Sequence, residues 1–105
     1  MIYQIRRSPI FLRDVEDFGR YCSDYTNEFV EEQFERLTFA IETLIAAAPW
    51  TWTYFVHSGE PYRAYLFRVG QRTRFWIVFS IDEEARAVNL LRFWGAARDP
   101  RRFAV

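Results

Sequence analysis

Three runs rich in β-branched and aromatic residues follow one another between Pro61 and Pro100: PYRAYLFRV, RTRFWIVFSI and RAVNLLRFW. Gly70-Gln71 and DEEA separate them, and GAARDP closes the series. Short apolar runs between compact turn signals predict an antiparallel meander over 61–94. A two-residue loop at Gly70-Gln71, with glycine first, sets a register. Arg68 then faces Thr73, Leu66 faces Phe75, Ala64 faces Ile77 and Tyr62 faces Phe79. On the other side Val69 meets Arg72, Phe67 meets Arg74, Tyr65 meets Trp76 and Arg63 meets Val78. One face reads as core; the other interleaves arginine with large aromatics. For the last strand two phases stay open, with either Val88, Leu90 and Arg92 or Asn89, Leu91 and Phe93 turned inward.

Upstream, the pattern changes period. Residues 1–7 alternate as a short strand, with Tyr3 and Ile5 against Gln4 and Arg6. Ser8-Pro9 is a helix start, a capping hydroxyl followed by a proline in the first turn. Phe11, Val15, Phe18 and Cys22 then recur at helical spacing. Residues 23–27 form a break, and Thr26 or Asn27 caps a second helix striped by Val30, Phe34, Leu37, Ile41, Leu44 and Ala48. Glu28, Glu31, Glu32 and Glu35 crowd its first half, where acids suit the helix N-terminus, and Glu32 can pair with Arg36. Pro49 ends it. The aromatic segment WTWTYFVHSGE, 50–60, is too apolar for a free loop; it lies across the helices or adds to a sheet edge, with His57 exposed.

The expected fold class is therefore α+β in the order β-α-α-β-β-β, a helical hairpin on one face of a small antiparallel sheet. The expected single domain spans 1–105: strand 1–7, hairpin 8–48, aromatic connection 49–60, meander 61–94 and arginine-rich tail 95–105. Two helices cover one face only. The other would expose Tyr65, Phe67, Trp76 and Val78 among Arg63, Arg72 and Arg74, a patch that calls for a partner. Such a face suits RNA, through stacking and phosphate contacts, or a peptide carrying acidic and apolar side chains. An added layer from 50–60 is the alternative.

Half of the 105 residues are apolar and a fifth aromatic, enough to build a folded core. One cysteine, Cys22, and one histidine, His57, exclude an internal disulfide and a multi-histidine metal site. No cofactor, metal or membrane span is expected, and the N-terminus has no apolar signal core, so the expected location is cytoplasmic. All fourteen basic residues are arginine. They segregate: residues 1–52 carry five arginines and nine acids, residues 53–105 nine arginines and five acids. The meander half is thus the candidate anion-facing surface.

The element order, together with PYRAYLFRVG, WIVFSIDEEARAV and the tail LLRFWGAARDP, resembles the RelE/ParE superfamily of bacterial type II toxins from Ile2 to Arg102. The resemblance implies a growth inhibitor, of the plasmid-stabilising kind, in a hetero-oligomer with a cognate antitoxin whose C-terminal segment wraps it. The expected antitoxin-binding residues are Tyr65, Phe67, Arg74, Trp76 and Val78; the expected target-binding residues are Arg92, Trp94, Arg98 and Arg101. RelE-like members cut mRNA on the ribosome, and ParE-like members act on DNA gyrase. For RNA cleavage Arg63 and Arg74 match the family's strand arginines, with Arg92 in the tail and His57 as the one imidazole. Many relatives carry histidine directly after the tail tryptophan, where this chain has Gly95. With no lysine and no tyrosine after Tyr65, proton-transfer groups are scarce, and arginine is too basic to serve. That points to the ParE-like branch and away from an enzyme. A toxin-fold protein that only binds its partner is the third reading.

Overall fold

The computed structural model describes residues 2–57 and 59–105; Met1, expected in the first strand, and Ser58 lie outside them. Strand β1 is Gln4–Arg7, helix α1 Pro9–Tyr21 and helix α2 Asn27–Phe39, followed by a π-helical turn over Ala40–Ile45. The sheet continues with β2 Thr53–His57, β3 Glu60–Val69, β4 Thr73–Asp82 and β5 Ala87–Gly95. Its order is β1-β5-β4-β3-β2, with both helices packed on one face.

Local chemistry sets both helix starts. Ser8 Oγ accepts the Phe11 amide at 3.0 Å with Pro9 opening the first turn, and Thr26 Oγ1 accepts the Phe29 amide at 3.2 Å. Each cap satisfies one of the donors a helix N-terminus leaves unpaired, a contribution of about 1 kcal/mol. Phe18 centres the core between the layers, with its ring 5.2 Å from those of Phe75 and Phe93 and 6.3 Å from Phe67. Phe11 and Cys22 are buried with it, as their spacing predicts. On the second helix the π turn adds a residue to the cycle, so Ile45 and Ala46 are buried while Ala48 is exposed. Arg36 does not pair with Glu32: it donates to Gln33 Oε1 at 2.6 Å and lies over the Phe67 ring.

The sheet departs from expectation in four ways. The segment after Pro49 supplies β2, antiparallel to β3 from Thr53↔Ala64 to His57↔Glu60, so the edge-addition alternative is the one that forms. β1 runs parallel to β5, pairing Gln4 to Arg7 with Ala87 to Leu90, which makes the sheet mixed.

The β3–β4 register is shifted by one residue. The loop is Gly70 to Arg72, with Gly70 at φ +63°, and Val69 faces Thr73, Phe67 faces Phe75 and Tyr65 faces Ile77. A one-residue shift exchanges faces. It gathers Phe67, Val69, Phe75 and Ile77 under the helices, where the expected pairing would have set Arg72 and Arg74 beside Phe67 and Val69.

The fourth departure resolves β5. Phe79 pairs with Leu90 but Val78 with Arg92, leaving Leu91 as an extra residue in a bulge. The bulge inverts the alternation, so Val88, Leu90 and Phe93 all face the helices while Arg92 and Trp94 turn away.

Candidate interaction surface

The sheet face away from the helices carries a second, smaller core of Ala64, Val78, Trp94 and Phe103, flanked by Phe55, Tyr62 and Trp76. The C-terminal tail builds it. A short turn at Pro100–Arg102, capped by Asp99, delivers the Phe103 ring to 4.8 Å from Phe55, 4.9 Å from His57 and 5.2 Å from Trp94. His57 is therefore half-buried against an aromatic ring, where an exposed loop position was expected.

The register shift divides the expected antitoxin face. Phe67 lies in the main core at 2% exposure, and Tyr65 beside it meets the Trp52 ring at 4.8 Å. Trp76 and Val78 lie on the opposite face, and Val78 is fully enclosed by the second core. Of the five residues, Arg74 and Trp76 share the open part of one face.

Three of the singled-out arginines hold the molecule together. Arg63 donates to the carbonyls of Trp50 and Trp52, both at 2.9 Å, and lies 3.9 Å from the Tyr54 ring centre, clamping the 50–54 segment to β3. Arg92 donates Nε to Asp14 Oδ2 at 2.7 Å and Nη1 to the Ala104 carbonyl at 2.7 Å. Asp14 also accepts the Phe93 amide at 2.9 Å, covering the β5 edge beyond the end of β1. Arg98 stacks 3.8 Å from the centre of buried Trp94. Arg101 is bound to Asp99 in an exposed pair.

What remains open is a basic end of the second face. Arg68 and Arg74 are direct cross-strand partners, and both are exposed. Among the described residues no ion pair engages Arg68, Arg72 or Arg74. Like charges set opposite each other destabilise a sheet, so this pair makes no sense as scaffolding. A cavity of about 330 Å³ opens beside it, lined by Arg72, Arg74, Arg98, Thr73 and Phe75. A cleft of about 520 Å³ lies at the β2–β3 step, between Trp52, Leu66, Arg68 and Trp76. Arg68 escaped the sequence reading because the two-residue loop had placed it opposite Thr73.

At the other end of the sheet, Glu83 gathers three elements. Its carboxylate accepts Tyr3 Oη at 2.7 Å, Trp50 Nε1 at 2.7 Å and Arg86 Nη1 at 2.7 Å. Those donors, Tyr3 and Trp50 foremost, hold its pKa below the ordinary carboxylate value. Arg101 does the same to Asp99. Burial raises the pKa of Cys22, consistent with an inert core thiol. Among the described residues no group of three or more metal-ligating side chains gathers, and no helix is long and apolar enough to cross a membrane.

With two helices on a five-stranded sheet in place, the chain superposes on one chain of the RelBE2 toxin–antitoxin complex from Mycobacterium tuberculosis. The TM-score is 0.58 at 17% identity, over 93% of this chain and 95% of that one. The fold is RelE-like. No family model and no curated protein matches the sequence.

Proposed function

We propose that this chain is the toxin of a type II toxin–antitoxin pair. It is held inactive by an antitoxin segment that lays acidic and apolar side chains over Arg68, Arg74, Leu66 and Trp76. The uncompensated Arg68–Arg74 pair carries the reading. Two exposed guanidinium groups held side by side without a carboxylate suit a partner that supplies the anions. The likeness in fold to a chain of a toxin–antitoxin complex supports the same partner class.

For the target we infer the gyrase-directed, ParE-like mode. The cavity beside Arg72, Arg74 and Arg98 is otherwise lined by Thr73, Phe75, Gly95, Ala96 and Ala97, none of which titrates near neutral pH. Cleavage of RNA by 2′-hydroxyl attack needs a proton acceptor and a donor within hydrogen-bond reach of the phosphate. His57, the single imidazole, is packed against Phe103. The ribonuclease mode would have to draw on the adjoining cavity, where the Tyr21 hydroxyl is 3.2 Å from Thr73 Oγ1 and the carboxylates of Asp14 and Asp17 are already paired with Arg92 and Arg20.

Incubating the purified chain with gyrase, ATP and supercoiled plasmid tests the choice. Double-strand cleavage that disappears in Arg72→Ala/Arg74→Ala is expected. Intact plasmid, together with new codon-phased mRNA ends in arrested cells, overturns the gyrase mode in favour of ribosomal cleavage. For the antitoxin surface, Arg74→Ala lowers affinity by about tenfold, roughly 1.4 kcal/mol, in a titration at low salt. Unchanged affinity there moves the antitoxin elsewhere.

A further inference from the structure

The two edges of the sheet are treated differently. β1 carries Arg6 and Arg7, charged side chains of the kind that discourage a further strand from adding. β2, at the other edge, reads TYFVH with no charge, no proline and no bulge. Tyr54 and Val56 project from it at 61% and 67% exposure. In a chain with 27% charged residues, an uncharged edge strand presenting an aromatic and a β-branched side chain is an unprotected one.

The backbone phase of that edge follows from Pro61. Val56 is paired with Pro61, which has no N–H, so this pair cannot exchange ladder hydrogen bonds. Alternation then directs the amides and carbonyls of Thr53, Phe55 and His57 inward to β3. Those of Tyr54 and Val56 point outward. An antiparallel two-fold centred on Phe55 uses this arrangement completely. Tyr54 of each copy meets Val56 of the other as a hydrogen-bonded pair, four bonds in all. Phe55 meets its own symmetry mate as a non-hydrogen-bonded pair. The side chains agree with the backbone: two aromatic–β-branched pairs and one aromatic pair are favourable cross-strand neighbours, and no like charges are opposed.

We infer that β2 is a self-association edge, at which two copies of this chain join into one ten-stranded sheet. The contact is isologous, as a closed dimer requires. It joins the second cores of the two copies through Phe55, which packs on Phe103 in each. It leaves the arginine-bearing end of the sheet free, so it stands or falls independently of the toxin reading.

Sedimentation of the purified chain alone, over a micromolar concentration series, tests the edge. A reversible dimer is expected. Val56→Pro removes an amide that the single copy does not use, and weakens the dimer at least tenfold while circular dichroism stays unchanged. Tyr54→Lys, which leaves the backbone alone, gives the same shift and guards against a folding defect in the proline variant. The register is read by cross-linking in a Cys22→Ala background. Phe55→Cys closes a disulfide between copies, because its Cα atoms are about 4.5 Å apart in such a pair. Thr53→Cys does not, its two positions being offset by about 13 Å along the strands. A chain that stays monomeric throughout overturns the inference, and so does a dimer indifferent to both edge variants. If only the complex with an added antitoxin responds to Val56→Pro, the edge belongs to a strand of that partner and the self-association is wrong.

Discussion

Asp14 and Asp99 each bind an arginine, yet they do different work. Asp14 is nearly enclosed, its side chain 9% exposed against 13% for Arg92, and it also takes the Phe93 amide. Removing it strips the largely enclosed guanidinium of its Nε and Nη2 acceptor, leaving it the Ala104 carbonyl alone, and orphans the Phe93 N–H, the costly way to break an ion pair. Asp14→Ala is expected to lower unfolding stability by about 3 kcal/mol or more, seen as a reduced urea midpoint. The Arg101 side chain is 89% exposed, and its pair with Asp99 is screened by water. Arg101→Ala should stay within about 0.5 kcal/mol. Equal losses in the two variants would show that the Arg92 pair is no better buried than a surface contact. Residue type alone could not separate these arginines. Arg63, Arg92 and Arg98 were legible as a basic set, but their engagement with Trp50, Asp14 and Trp94 arises only when distant segments meet.

At the scale of elements, what a short window encodes was readable. Ser8-Pro9 and Thr26 act where they stand, and the four-and-three spacing of Phe11, Val15, Phe18 and Cys22 needs no knowledge of the rest of the chain. Register was not readable, because Gly70 serves a two-residue or a three-residue loop equally well. Burial of Phe75 with Phe67 under the helices decides between them, and that is a tertiary effect. The Leu91 bulge is similar: either phase of β5 was half right, because the strand uses one phase before Leu91 and the other after it. Deleting Leu91 should therefore be tolerated: it leaves Leu90 and Arg92 as neighbours opposite Phe79 and Val78, a regular ladder in which Phe93 still faces the helices and Trp94 the second core. Inserting one residue after Arg92 is the damaging change, because it turns Phe93 away from the helices and Trp94 into the helix-side core. Loss of the cooperative thermal transition is expected for the insertion, with the Leu91 deletion retaining it. A well-folded insertion variant would mean that a second bulge can absorb the extra residue.

Across the whole molecule, the N-terminal strand, the aromatic segment and the last hairpin are fastened together by Glu83, whose pKa is lowered by its donors. A lowered carboxylate pKa contributes stability that is present above the unfolded-state value, about 4.3, and is lost as pH falls through the folded value. Asp99 acts in the same direction. Thermal midpoints of the wild type and Glu83→Gln should differ at neutral pH and converge as pH falls through the folded value. Curves that stay parallel until both variants unfold in acid would remove ionised Glu83 from the explanation. The sequence also left the tail's destination hidden: Phe103 looked like part of an arginine-rich extension, and it closes the second core.

The parallel pairing of β1 with β5 has a consequence for synthesis. Gln4 to Arg7 leave the ribosome before both helices and three further strands, and their partners Ala87 to Leu90 follow only after these. Until then the helical hairpin can form, but its Phe11, Phe18 and Leu37 stripe has no sheet to lie on. Chains released early would carry the acidic helices without the arginine-bearing strands. With that stripe uncovered, they would be ready substrates for chaperones and proteases. The paired Arg68 and Arg74 are complete once β4 has been made, but the first strand stays unpaired until β5 follows.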